Sequence, residues 1–266
     1  MPRRSTSLPT DRPAAAIPRR PQGSALGVGL LLTLAAIACG APERTIESDV
    51  RYEPPGDHRI VVETVVDLPF EAAWSELIRR LSESSFRVST LEKASRFVRV
   101  DLDRSTDGVA SANQPARFVD CGRTVRTYQP AANAESERFE YAVADSSRYL
   151  EADPTEDGFR VSDVERRVTL DASGTIYLQP EGKRRTRVTV KSRYQVQISV
   201  AGTATEIPRD AGRESGTPVA FGPRVESVRF TTFQPGSDRR DGGVTCRATG
   251  EFEHALIALA NPAAAI

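Results

Sequence analysis

The stretch RVTVKSRYQVQISV, Arg187 to Val200, decides the fold. Val188, Val190, Tyr194, Val196, Ile198 and Val200 share one parity, and Arg187, Thr189, Lys191, Arg193, Gln195 and Gln197 share the other. Successive side chains of a strand point to opposite faces, so this alternation predicts a strand with one buried and one wet face. Immediately upstream, DVERRVTLDASGTIYL (163–178) places Val164, Val168, Leu170, Ile176 and Leu178 on one parity. QPEGK between them supplies Pro180 and Gly182 for a turn. Together these segments predict a long antiparallel hairpin.

On the wet parity, Arg187, Lys191 and Arg193 form a basic stripe. A stripe of this kind serves either as a surface for a partner or lipid headgroup, or as a solvated sheet face. The second reading is preferred, with Glu165 and Asp171 balancing the charge across the hairpin. The wet parity of the strand interleaves no aromatics with its cations, which argues against single-stranded nucleic acid.

Working outward, Ile60 to Val66 reads as a strand. In DLPFEAAWSELIRRLSES, Phe70, Trp74, Leu77, Ile78 and Leu81 recur at helical spacing, predicting an amphipathic helix over about 70–83. Asp67 is its expected cap, Pro69 suits the first turn, and Glu71 complements the dipole. Trp74 is read as core. SFRVSTLE and RFVRVDLD, joined by KAS, predict a hairpin. DLDRSTDG (101–108) departs from a calcium loop, with Thr106 at the position needing Gly and Ala112 at the position needing Glu, and reads as a polar loop. Strands are expected over 116–127 and 138–144, and the acidic LEADPTEDG (150–158) reads as a loop.

After the central hairpin, residues 201–224 are rich in Gly, Pro and charge and read as a mobile loop. Val225 to Phe233 is a strand, SDRRDGG (237–243) a turn, and Val244–Arg247 a short segment holding Cys246. TGEFEHALIALAN predicts a second helix over about 250–260, capped by Thr249 and stopped by Asn261-Pro262. Its buried stripe is Phe252, Ala255, Leu256 and Leu259, and His254 among them reads as structural.

The N-terminal region sets the address. Residues 1–24 are basic and Pro-rich, and Ala25 to Ala38 is a fourteen-residue run without charge. That is short of the roughly 20 residues a membrane-spanning helix needs, and it matches the apolar segment of a signal peptide. Ala36-Ile37-Ala38-Cys39 resembles a bacterial lipobox, in which the cysteine is acylated and becomes the first mature residue. Ordinary secretion and an uncleaved apolar helix are the other two readings of this run. Under lipidation of Cys39 the chain divides into a signal peptide (1–38), a flexible tether (39–57) and one α+β domain (58–262). Gly40 in place of Asp favours the periplasmic face of the outer membrane.

Residues 1–38 hold five of the 36 basic and one of the 36 acidic residues, so the mature chain carries a net charge of −4. That balance argues against a nucleic-acid partner. With Cys39 lipidated, Cys121 and Cys246 remain. In an oxidising compartment they read as one disulfide, with two separate buried thiols as the alternative. His58 and His254 have no Cys or His at ligand spacing, so no metal and no cofactor is expected.

The element order is strand, helix, several antiparallel strands, final helix. It predicts an α+β fold in which two amphipathic helices cover one face of a curved antiparallel sheet, in a helix-grip-like arrangement. The unit VVETVVDLPFEAAWSELIRRLSESSFRVSTLEKASRFVRVDL (61–102) resembles the helix-grip domains of BamC-type lipoproteins of the outer-membrane β-barrel assembly machine. FVDCG (118–122) and VTCRATGEFE (244–253) resemble segments of proteobacterial lipoproteins. The first resemblance implies a non-enzymatic accessory with an envelope protein partner, although this chain carries one such unit rather than two. The sequence has no G-x-S-x-G, no H-E-x-x-H and no P-loop, so it is not read as an enzyme. The expected function is therefore a lipid-anchored structural or interaction module. The alternative is a module for an apolar ligand or lipid, with Phe252, Leu256 and Leu259 lining a cavity beneath the last helix.

Overall fold

Polar–apolar alternation extends further along the central hairpin than the apolar residues alone indicate. A computed structural model describes residues 43–102, 115–210, 212–233 and 244–261. The expected signal peptide (1–38), Cys39, and the segments at 103–114 and 237–243 lie outside the described residues. The elements are β1 (Glu47–Glu53), β2 (Glu63–Val66), α1 (Phe70–Ser82), β3 (Phe86–Glu92), β4 (Phe97–Leu102), β5 (Val119–Asp120) and β6 (Arg123–Gln129). They continue as β7 (Glu137–Ala142), β8 (Ser147–Pro154), β9 (Gly158–Glu181), β10 (Arg185–Pro208), β11 (Val219–Thr231), β12 (Arg247–Ala248) and α2 (Glu251–Ala260).

Strands β9 and β10, 24 residues each, pair antiparallel from Glu181↔Arg185 to Gly158↔Pro208. Around this hairpin a seven-stranded sheet forms in the order β11-β10-β9-β4-β3, with β2 beside β10 near the turn and β8 beside β9 at the far end. A second sheet has the order β1-β6-β7, and β5 pairs β12. The fold is thus α+β, an antiparallel sheet with two helices. The described residues fall in one compact unit.

The inward parity of β9 and β10 forms the core. Val168, Leu170, Ile176, Leu178, Val188, Val190, Tyr194, Val196 and Ile198 are buried, packed with Ala73, Trp74, Leu77 and Leu81 of α1 and Phe252, Leu256, Ile257 and Ala260 of α2. Arg166 occupies an inward position as well. Its guanidinium donates to the backbone carbonyls of Asp145, at 2.6 Å, and Val143, so the buried charge is hydrogen-bonded. Gly174, between Ser173 and Thr175 on β9, leaves room for α2. A Cβ there would stand 2.2 Å from Leu256 Cδ1 and 3.3 Å from the Phe252 ring.

The structure corrects several sequence expectations. Glu47–Glu53, assigned to the flexible tether, is a strand paired with β6 from Glu47↔Gln129 to Glu53↔Arg123. It lacks an apolar period because the backbone ladder holds it, with Arg123 bonded to Glu53 at 2.9 Å and the Tyr52 hydroxyl donating to the Cys121 carbonyl at 3.1 Å. Residues 201–224, read as a mobile loop, mostly continue β10 and begin β11, leaving a connection over 209–218. The Gly and Pro residues there serve a bulge: the register shifts between Val200 and Gly202, and Gly222 takes φ +80 before a cis Pro223. LEADPTEDG is largely strand, since Ser147–Pro154 pairs with the far half of β9. The expected caps also differ. Pro69 and Gly250 hold the cap positions of α1 and α2, while Thr249 Oγ1 donates to the Arg117 carbonyl at 2.8 Å.

Candidate functional site

The predicted site residues fall into three groups. Cys39 lies outside the described residues. Cys121 and Cys246 form a disulfide across 125 residues of sequence, joining the segment after β5 to that before β12. Cys121 therefore offers no thiol nucleophile, and His254 lies exposed on α2 rather than within its apolar stripe. The third group, Phe252, Leu256 and Leu259, lies on α2. Phe252 and Leu256 are fully buried, and Phe252 makes edge contacts with Phe86, Phe118 and Tyr194. Leu259 is partly buried against the same core. These side chains fill the space beneath the sheet, where the alternative reading placed a ligand cavity.

A buried polar trio lies beside them. The Tyr194 hydroxyl donates to Glu253 Oε1 at 2.6 Å, Glu253 Oε2 is buried without a partner, and Ser192 Oγ lies beside the phenol. Burial first, and the Glu253 carboxylate second, push the Tyr194 phenol far above its usual value.

A cleft of about 780 Å³ opens on the opposite, wet face of the sheet. Arg87, Arg99, Arg193 and Arg229 line it, with Asp101 and Asp171. Cross-strand register brings these side chains together. Arg87 pairs Asp101, Asp101 pairs Ser173, Ser173 pairs Arg193, and Arg193 pairs Thr231. One step along, Arg99 pairs Thr175, which pairs Lys191, and on the other side Asp171 pairs Gln195, which pairs Arg229.

The basic stripe therefore divides in two. Arg187 bonds Glu63 and Glu181 and is neutralised near the hairpin turn. Glu165, expected to balance the stripe, lies far along β9 and accepts from Arg167 at 2.7 Å. At the cleft, Arg87 meets Asp101 at 3.4 Å. Arg99 donates to Ser173 Oγ at 3.3 Å and Arg229 to Gln195 Oε1 at 3.1 Å. Arg193 lies 5.8 Å from the Phe233 ring centre, and Lys191 lies 5.5 Å from that of Tyr177 and 5.9 Å from that of Phe233. Among the described residues none of Arg99, Lys191, Arg193 and Arg229 is ion-paired to a carboxylate. The aromatics missing from the alternating strand are supplied by β9 and by the chain after β11.

Sequence periodicity located Lys191 and Arg193 but not their neighbours. Arg87, Arg99 and Arg229 join them only through pairing with β3, β4 and β11, which no local pattern encodes. No described helix is long and apolar enough to cross a membrane. No protein-family model, no curated protein and no solved structure matches this chain.

Proposed function

We propose that this chain is a non-enzymatic lipoprotein of the bacterial envelope, tethered by an acylated Cys39 at the periplasmic face of the outer membrane. Its α+β domain, in a helix-grip-like arrangement, acts as an interaction module, and the wet-face cleft is its binding surface. The observation that carries this reading is the pairing of Cys121 with Cys246. A disulfide suits an oxidising compartment, and it leaves one cysteine in the chain, at the end of the apolar run. The cysteine arithmetic and the signal-peptide pattern thus converge on one address. Two or more acyl chains exceed the two-signal requirement for stable anchoring.

Mass spectrometry of the protein extracted from membranes tests the anchor. The expected species begins at Cys39 and carries the mass of a diacylglycerol with an amide-linked acyl chain. A chain that retains residues 1–38, or one cleaved elsewhere without lipid, would overturn the reading. Mild-detergent extraction is then expected to recover a stable envelope protein partner.

A further inference from the structure

We infer that the wet-face cleft binds a phosphate group. The inference deepens the interaction-module reading by naming the chemistry that the module recognises. It rests on that reading for the binding surface but not for the lipid anchor.

The argument starts from charge matching. Elsewhere on and beside the hairpin, outward arginines have acidic partners: Arg148 of β8 meets Asp163 of β9 at 2.8 Å, Arg160 meets Glu206 at 2.7 Å, and Arg187 bonds Glu63 and Glu181. At the cleft, among the described residues, Arg87 alone of the four arginines has such a partner, Asp101. Among the described residues four guanidinium groups and the neighbouring Lys191 stand against two carboxylates, Asp101 and Asp171, a local excess of positive charge on a chain that holds 36 basic and 36 acidic residues. Like charges gathered on a sheet face repel one another across strands. An anion in the cleft removes that repulsion.

The side-chain chemistry narrows the anion. Guanidinium is planar, always charged, and presents five N–H donors in a fork that fits phosphate oxygens two at a time. The four arginines enter one opening from four strands, β3, β4, β10 and β11. Donors arriving from several sides exceed what the two oxygens of a single carboxylate accept, and they suit a tetrahedral phosphate with three or four oxygens. Ser173 and Gln195 hold Arg99 and Arg229 through neutral acceptors, which fixes the guanidinium groups without cancelling their charge. The cleft is open and half-polar, sized for a headgroup or a small phosphorylated solute rather than a single ion.

The test is calorimetric titration of the full chain in neutral-detergent micelles. One arm uses inorganic phosphate, with acetate as the carboxylate comparison. The other uses micelles doped with phosphatidylglycerol, with phosphatidylcholine-doped micelles as the blank. Binding in the first arm assigns a soluble phosphorylated ligand, and binding in the second alone assigns a lipid headgroup. In either case Arg193→Gln and Arg229→Gln should each weaken binding about tenfold, the worth of one charge-assisted hydrogen bond. Arg160→Gln, the same charge change at the far end of the hairpin, should alter it by less than about twofold. The inference is overturned if neither arm shows binding, if acetate binds as tightly as phosphate, or if Arg160→Gln weakens binding as much as the cleft variants. Circular dichroism of each variant guards against loss of fold. Acylation of Cys39 is read separately by mass, so failure of the cleft and failure of the anchor are distinguishable.

Discussion

Tyr194→Phe isolates one hydrogen bond in the middle of the core. Tyr194 is 3% exposed and Glu253 is fully buried, and the 2.6 Å bond from the phenol to Oε1 is the hydrogen bond the carboxyl group makes within the described core. Oε2 already lacks a partner, so removing the hydroxyl leaves both oxygens buried and unbonded. An unsatisfied buried group costs about 1–3 kcal/mol, with the upper end for charged groups. The phenylalanine keeps the ring, and with it the stacking on Phe230 at 4.9 Å, so packing changes little. Trp74, the single tryptophan, is buried against Phe70 in α1 and reports unfolding in urea. Tyr194→Phe is expected to lower stability by about 2 kcal/mol, and Glu253→Leu alone by a similar amount through the orphaned phenol. Combining them removes both polar groups, so the double variant should lose about 1–2 kcal/mol less than the sum. A Tyr194→Phe variant within about 0.5 kcal/mol of the parent, or strictly additive losses, would refute the assignment of this pair as a mutually dependent buried unit.

The disulfide spans 125 residues, and in the chain-entropy relation such a loop raises stability by about 5 kcal/mol, so the Cys121→Ala/Cys246→Ala variant should unfold at far lower urea. An unfolding midpoint insensitive to both the substitution and a reductant would contradict this bridge. Hydrogen bonds from Arg79, then from Arg80, hold the Glu76 carboxyl down at about 2 against its usual 4.5. Between these values the unfolded chain binds more protons than the fold, so the contribution is complete above pH 4.5 and is lost as pH falls toward 2. Glu76→Gln should flatten that acid limb of the melting temperature against pH, and salt should shrink the difference because the Arg79 pair is open to solvent; an unchanged limb would count against the pairing.

How far the fold could be read from the chain depended on which force positions each strand. β9 and β10 bury one parity, and burial leaves period-2 alternation in the residues themselves. Helix α1 left its stripe at Trp74, Leu77 and Leu81 for the same reason. β1 and β8 are placed differently. Their residues are largely polar, and backbone pairing to β6 and β9 holds them, so composition made them look like tether and loop. The glycines and prolines at 202, 222 and 223 marked a bulge within a strand, which local reading cannot separate from a loop. The cleft was half legible. Lys191 and Arg193 stood out by spacing, whereas Arg99 and Arg229 sit 94 residues before and 36 residues after Arg193 and join it only through sheet register.

The same short length of the hairpin does two jobs on its two faces. On the inner parity, Gly174 and Ser192 face each other across β9 and β10, and this small-residue gap admits Leu256 and Phe252 of α2. One residue away on the outer parity, Ser173 and Arg193 form the middle of the cleft. Tyr194, adjacent to Arg193, is fastened to Glu253 of α2 on the inner side. The floor of the cleft is therefore backed by the buried core, between two strands paired along their whole length. Side chains carried on such a floor spend little conformational freedom on binding, because the backbone that spaces them is already fixed. A cationic group of this kind on a loop would scatter under its own repulsion. On this sheet the arginines are kept at strand spacing, and the repulsion persists as a standing preference for an anion.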